Sequence, residues 1–136
     1  MASRIKAKSR PRRGALAAEA LDGLSPSERR EHMRRAGYLV VSGEHDERLL
    51  MEAFANGLAV LACRRGAAAE FVEPGRNGLL FDSPPELARH LAWAEAFPEK
   101  MRQMGECAQA DYHARFVAHW SYQKLFGERR RFTRTA

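Results

Sequence analysis

Two carboxylates, Glu44 and Glu52, fall in the stretch SGEHDERLLMEAFANG, residues 42–57, which reads as a loop running into a helix. Glu52 sits among Leu49, Leu50, Met51, Ala53 and Phe54, where a charge is costly to bury without a partner. An ionised carboxylate accepts charge-assisted hydrogen bonds and can take both oxygens of a vicinal diol. The pair therefore suits the hydroxyls of a sugar or a ribose. The alternative is a helix cap and a surface charge, with Glu52 facing solvent near the start of a helix, where the dipole favours an acid. Further on, Arg64 and Arg65 stand directly before Gly66. Two cations at the end of an apolar run can form an ion pair with Asp46 and Glu47.

The elements around these residues alternate. LSPSERREHMRRAG reads as a helix that opens with Ser25 or Ser27 as N-cap, with Glu28 at capping-box spacing from Ser25. Met33 and Ala36 face inward, and Arg29, Arg30, Arg34 and Arg35 stay wet. YLVV (38–41) is a continuous β-branched apolar run, the mark of a strand buried on both faces. A helix from about 47 to 56 follows and ends at Asn56-Gly57. LAVLA (58–62) is the next buried strand, 66–72 a short helix, EPGRNG (73–78) a turn and LLF (79–81) a third strand. From Pro84 the pattern turns helical. Leu87, Leu91 and Ala94 share a face before Pro98 interrupts, and Met101, Met104, Ala108, Tyr112 and Phe116 then recur at three- and four-residue intervals. Strands alternating with helices imply a parallel sheet with crossover helices. In such a sheet ligands sit beyond the carboxyl ends of the strands, which directs attention to the segments after Val41 and after Ala62.

The 136 residues are enough for one core and too few for two. With 45% hydrophobic and 29% charged residues, the composition is that of a globular domain. No apolar run reaches the roughly 20 residues needed to span a bilayer, and the basic N-terminus lacks the apolar stretch of a secretory signal. Cys63 and Cys107 stand apart from one another and from the five histidines. That arrangement fits a reducing cytoplasm and gives no metal-ligand spacing. Residues 1–13, MASRIKAKSRPRR, carry six of the 23 cations and no acid, so the remainder balances at 17 against 17. A second basic run, ERRRFTR, closes the chain. No recognition motif accompanies this charge, which argues for solvated tails over nucleic-acid binding.

Taken together, LDGLSPSERREHMRRAGYLVVSGEHDERLLMEAFANGLAVLACRRGAAAEFVEPGRNGLLF resembles the C-terminal, nucleotide-sugar-binding domain of family 4 retaining glycosyltransferases, which have the GT-B fold. EAFANGLAVLA follows the family's E-A-x-A-x-G-x-P-V pattern with Ala59 at the usual proline, and Gly66 to Glu70 follows its G-G-x-x-E. MRQMGECAQADYHARF is similar to its late helix, so the likeness covers about residues 21–127.

The resemblance implies a partial Rossmann-like parallel α/β sheet of about three strands with flanking helices. The expected division is a basic tail over 1–20, the domain over 21–127 and a second basic tail over 128–136. It also implies that Glu44 contacts hydroxyls of a donor sugar and Glu52 the ribose hydroxyls of a nucleotide-diphosphate sugar. Arg64 and Arg65 would support the diphosphate and the backbone at Gly66 would border the site, with no metal and no further cofactor. No general base is assignable.

Where the family places x-Phe-Gly after its first glutamate, this chain has His45, Asp46 and Glu47. A glycine admits close backbone approach to a phosphate; two acids repel one. Residues 1–20 are not expected to supply the strands that precede YLVV. That strand would then be an exposed edge, open to a homodimer or to a companion polypeptide. The expected function is donor binding for glycosyl transfer to an acceptor hydroxyl, in a chain not active alone. The alternative is a non-catalytic module of the same fold whose basic tails bind acidic partners.

Overall fold

The computed structural model describes residues 13–43 and 47–117, with side chains to Arg115. The elements are β1 (Ala15–Ala17), a 3-10 turn (Ala18–Leu21), α1 (Pro26–Arg35), β2 (Tyr38–Val41), α2 (Glu47–Ala55), β3 (Ala59–Cys63), α3 (Gly66–Phe71), β4 (Gly78–Phe81), α4 (Pro84–Ala96) and α5 (Pro98–Asp111), continued by a π-helical turn (Tyr112–Val117). The four strands form one sheet in the order β1-β2-β3-β4, and all neighbours are parallel.

Alternation along each strand sends its residues to two apolar layers. Leu39 and Val41, Val60 and Ala62, and Leu80 face a core shared with Met33, Leu49, Leu50, Ala53 and Phe54 from α1 and α2. Tyr38, Ala59 and Leu61 face the other way, onto Ala94, Met101 and Met104 of α4 and α5. This is why YLVV and LAVLA carry no polar position: both of their faces are covered. Burying one such Leu or Phe is worth roughly 1.5–3 kcal/mol, which makes the two layers the main source of stability.

Local signals set the boundaries. Ser25, not Ser27, caps α1: its Oγ accepts from the Glu28 amide at 3.3 Å, and Glu28 Oε1 accepts from the Ser25 amide at 2.9 Å. Ser83 Oγ accepts the Glu86 amide at the start of α4, at 3.3 Å. After α2 the chain turns at Gly57 with φ +71°, a conformation that other L-residues reach only with strain. The same glycine lies close under α5. A Cβ on Gly105 of α5 would lie 2.2 Å from the Gly57 carbonyl oxygen, so α5 rests directly on the turn before β3.

Two expectations at the N-terminus are corrected. Residues 15–17 form a strand, and Ala18 and Leu21 are buried at 2% and 1% exposure. The ordered domain therefore takes in part of the expected 1–20 tail, and the sheet has four strands where about three were expected. In consequence YLVV is no exposed edge. Leu39 pairs with Leu16 on one side and Val60 on the other, and the edge passes to β1. The remainder of that tail, residues 1–12, and the expected tail at 128–136 lie outside the described residues.

Candidate functional site

The carboxyl ends of four parallel strands define one rim of the molecule, and the loops leaving them bring the candidate residues there. From β2 come Ser42 and Gly43; Ser42 Oγ donates to Glu19 Oε2 at 3.4 Å, tying this loop to the 3-10 turn after β1. Glu44, His45 and Asp46 follow and lie outside the described residues, so the placement of Glu44 beside Glu52 is not part of the site as described.

From β3 come Arg64 and Arg65, both exposed, and Gly66, with φ +54° and open space where a Cβ would stand. Arg64 Nε donates to both carboxylate oxygens of Asp82, at 3.2 and 3.3 Å, and its amide donates to the Phe81 carbonyl at 3.0 Å. These contacts clip the β3 loop to the β4 loop. Asp82 is thus the acid that meets Arg64; no ion pair of Arg64 or Arg65 with Glu47 occurs among the described residues, and Asp46 is not among them. The Arg64–Asp82 pair is half exposed and worth at most about 1 kcal/mol. Arg65 has no ion-pair partner among the described residues.

Glu52 lies on the second turn of α2, the helix that leaves the β2 rim. Its partner comes from the protein. Arg29 of α1 donates from Nε to both carboxylate oxygens, at 3.0 and 3.1 Å, and from Nη2 to Oε1 at 2.5 Å. Its Nη1 donates to the Leu21 carbonyl at 3.2 Å. The hydrogen bond to Glu52 is the main reason the Arg29 guanidinium holds its proton more tightly than usual. This corrects the reading of Arg29 as a wet surface residue, and equally the reading of Glu52 as a solvated acid on an apolar helix. The pairing is not legible in the residues alone, because α1 and α2 are joined through β2 and nothing in their spacing fixes which side chains meet.

A second polar cluster anchors the β4 turn. Asp111, 4% exposed, and Asn77, fully buried, are the buried polar residues of the described chain. Arg76 Nη1 and Nη2 donate to the two Asp111 oxygens at 2.5 and 2.6 Å, Asn77 Nδ2 donates to Oδ2 at 2.8 Å, and Asn77 Oδ1 accepts the Glu73 amide at 2.7 Å. The Arg76 guanidinium holds the Asp111 carboxyl below its usual range. No buried side-chain polar atom of this cluster lacks a hydrogen-bond partner, so it reads as a brace for EPGRNG.

A cavity of about 530 Å³ opens at the opposite end, at the amino ends of β1 and β2, against Arg13, Tyr38, Gly57, Glu95 and Met101. Tyr38 donates to Glu95 Oε2 there at 3.5 Å, and burial raises its pKa. In an open parallel sheet the ligand crevice is at the carboxyl ends, and this cavity lies at the other end of the strands. Among the described residues, no group of three or more His, Cys, Asp or Glu gathers as a metal site, and no helix is long and apolar enough to cross a membrane.

A family model for glycosyl transferase-like proteins matches residues 41–127, a stretch that holds Glu52, Arg64, Arg65, Gly66 and the Asp111 brace. The chain belongs to this family. The parallel α/β sheet with its flanking helices is that of a GT-B glycosyltransferase. Among solved structures, the chain is similar to the Anabaena protein Alr3699/HepE, crystallised in complex with UDP. The identity is 26% and the TM-score 0.58, over 70% of this chain and 29% of that one. The chain thus spans less than a third of the length of this structural relative. No curated protein matches.

Proposed function

We propose that the chain is the donor-side portion of a glycosyltransferase, binding a nucleotide-diphosphate sugar at the carboxyl rim of its sheet. The observation that carries this reading is the convergence of two things on one rim. The family match covers the loops after β3 and β4, and those loops present Arg64, Arg65 and the open backbone at Gly66. A structural relative was crystallised with UDP, which supports a nucleoside diphosphate as the ligand class.

In this reading Arg65 and Arg64 neutralise the diphosphate, and Glu52 accepts from the ribose diol. Glu44 accepts from hydroxyls of the donor sugar. Transfer to an acceptor hydroxyl would proceed with the departing diphosphate stabilised by these cations. The acceptor side and the general base belong to other parts of the complete enzyme. A further chain or domain would dock along β1, whose outer edge has no strand partner among the described residues. The free Cys63 and Cys107 and a nucleotide-sugar ligand both favour a cytoplasmic setting.

A second reading has one specific observation in its favour. Both Glu52 and Arg64 are already paired inside the protein, as expected of a non-catalytic module that keeps the fold after losing the ligand.

Thermal denaturation with UDP, GDP, ADP and their sugar conjugates separates the two. A ligand at 100 times its Kd adds about 2.7 kcal/mol. The donor reading expects such a rise for at least one diphosphate and a smaller rise in Arg65→Ala. A melting temperature unmoved by every nucleotide contradicts it and leaves the non-catalytic module.

A further inference from the structure

Arg29 meets Glu52 edge-on. Its Nε and Nη2 lie along the two carboxylate oxygens, with three contacts between 2.5 and 3.1 Å. A carboxylate offers about four lone-pair directions. A guanidinium in this pose takes the inner pair, those that face the same way from the two oxygens. A vicinal diol needs that same pair, because its adjacent hydroxyls cannot reach two lone pairs that diverge. Fork and diol are therefore alternatives on Glu52.

The contact is accessible and can open. The side chains of Arg29 and Glu52 are 26% and 28% exposed, so the pair is partly open to solvent. The guanidinium also has somewhere to go. It already donates to the Leu21 carbonyl at 3.2 Å, and the neighbouring Asp22 adds to the field that holds its proton.

We propose that Arg29 sets the ribose selectivity of the donor site, by holding the edge of Glu52 that a diol must occupy. The inference rests on the donor reading above and adds a specificity-determining residue to it. The diol gains its contact only by displacing the fork, so the chain binds nucleoside diphosphates chiefly through their phosphates. Discrimination between ribo- and 2′,3′-dideoxyribonucleotides is then weak. Arg29 belongs to α1, ahead of the 41–127 stretch that carries the family match.

The test is calorimetric titration of the tightest binder among UDP, GDP and ADP, and of its 2′,3′-dideoxy analogue. The proteins are the full chain, Arg29→Met, Glu52→Gln and the double variant. The ratio of the two affinities is the readout, since a general loss of stability or of charge attraction affects both probes alike. The wild type is expected to show little discrimination. Arg29→Met should raise the ratio about tenfold or more, the worth of a charge-assisted pair of hydrogen bonds, and the double variant should abolish the gain.

A large ratio in the wild type that falls in Arg29→Met makes Arg29 a support for the diol and overturns the proposal. A ratio lost in Glu52→Gln but unchanged in Arg29→Met also overturns it, while leaving the donor reading intact. No discrimination in any of the four proteins removes Glu52 from the site, and no binding at all removes the donor reading; the proposal falls with either. Should Arg29→Met not fold, Arg29→Lys keeps the charge without the fork and carries the same expected rise.

Discussion

Asp111 at the end of α5 and Arg76 in the turn before β4 stand 35 positions apart and meet through two hydrogen bonds of 2.5 and 2.6 Å. The carboxylate is buried, while the guanidinium stays half exposed. One arginine thus closes the EPGRNG turn onto α5. Asn77, beneath it, shares the same carboxylate at 2.8 Å.

Removing the acid should loosen that turn. Asp111→Ala deletes the charged acceptor of both Arg76 and Asn77, and we expect a loss of about 2 kcal/mol, the range for hydrogen bonds to charged groups. Urea denaturation of the variant checks this; a change within a few tenths of a kcal/mol would mean that the brace is ornamental.

The same pair makes stability depend on acid. The folded-state pKa of Asp111 is lowered from its ordinary 3.8, chiefly by Arg76. A depressed carboxyl adds stability that is complete above the ordinary value and disappears as the pH falls through the folded one. The stability gap between wild type and Asp111→Asn should therefore be full at about pH 7 and shrink towards about pH 3. Denaturation midpoints at the two pH values measure it, and a gap that widened on acidification would give the linkage the wrong sign.

Gly105 permits α5 to lie on the Gly57 turn, where an added methyl would stand 2.2 Å from a backbone oxygen. Backbone cannot move aside as a flexible side chain can. Gly105→Ala should cost about 1–3 kcal/mol, the usual range for overpacking, and lower the melting temperature by at least about 4 °C. An unchanged melting temperature would show that the helix shifts freely.

β1 is short, yet it protects YLVV. Deleting residues 1–12, which leaves β1 in place, serves as the control. Deleting residues 1–21 removes β1 together with buried Ala18 and Leu21. It should expose β2 as an edge and produce self-association. Light scattering distinguishes the two truncations, and a monomeric 22–136 fragment would contradict the role given to β1.

These relationships differ in how far the residues announce them. YLVV, LAVLA and the amphipathic spacing of Met101, Met104 and Ala108 give away their elements, because burial on a repeating face leaves a repeating pattern. Ser25 and Glu28 likewise mark the start of α1 by a local bond that needs no knowledge of the fold. Ala15–Ala17 carries no such mark: three residues are too few for a period, and the neighbouring cations read as a tail. Arg29 and Asp111 escape for another reason. Their partners, Glu52 and Arg76, are brought to them by the sheet, and an ion pair between elements depends on how those elements are packed. Arg64 and Arg65 are visible at the end of an apolar strand, but that Asp82 takes the first of them follows only from the β3–β4 pairing.

The central claim is that a nucleoside diphosphate binds at the carboxyl rim of the sheet. Amide chemical-shift mapping of the labelled protein titrated with UDP tests it most directly. The account predicts shifts concentrated at residues 42–43, 52, 64–66 and 82–83, around Glu52 and the loops that leave β2, β3 and β4. Shifts confined to Gly14, Gly37, Tyr38 and Gly57, around the cavity at the other end, or no shifts at all, would contradict it.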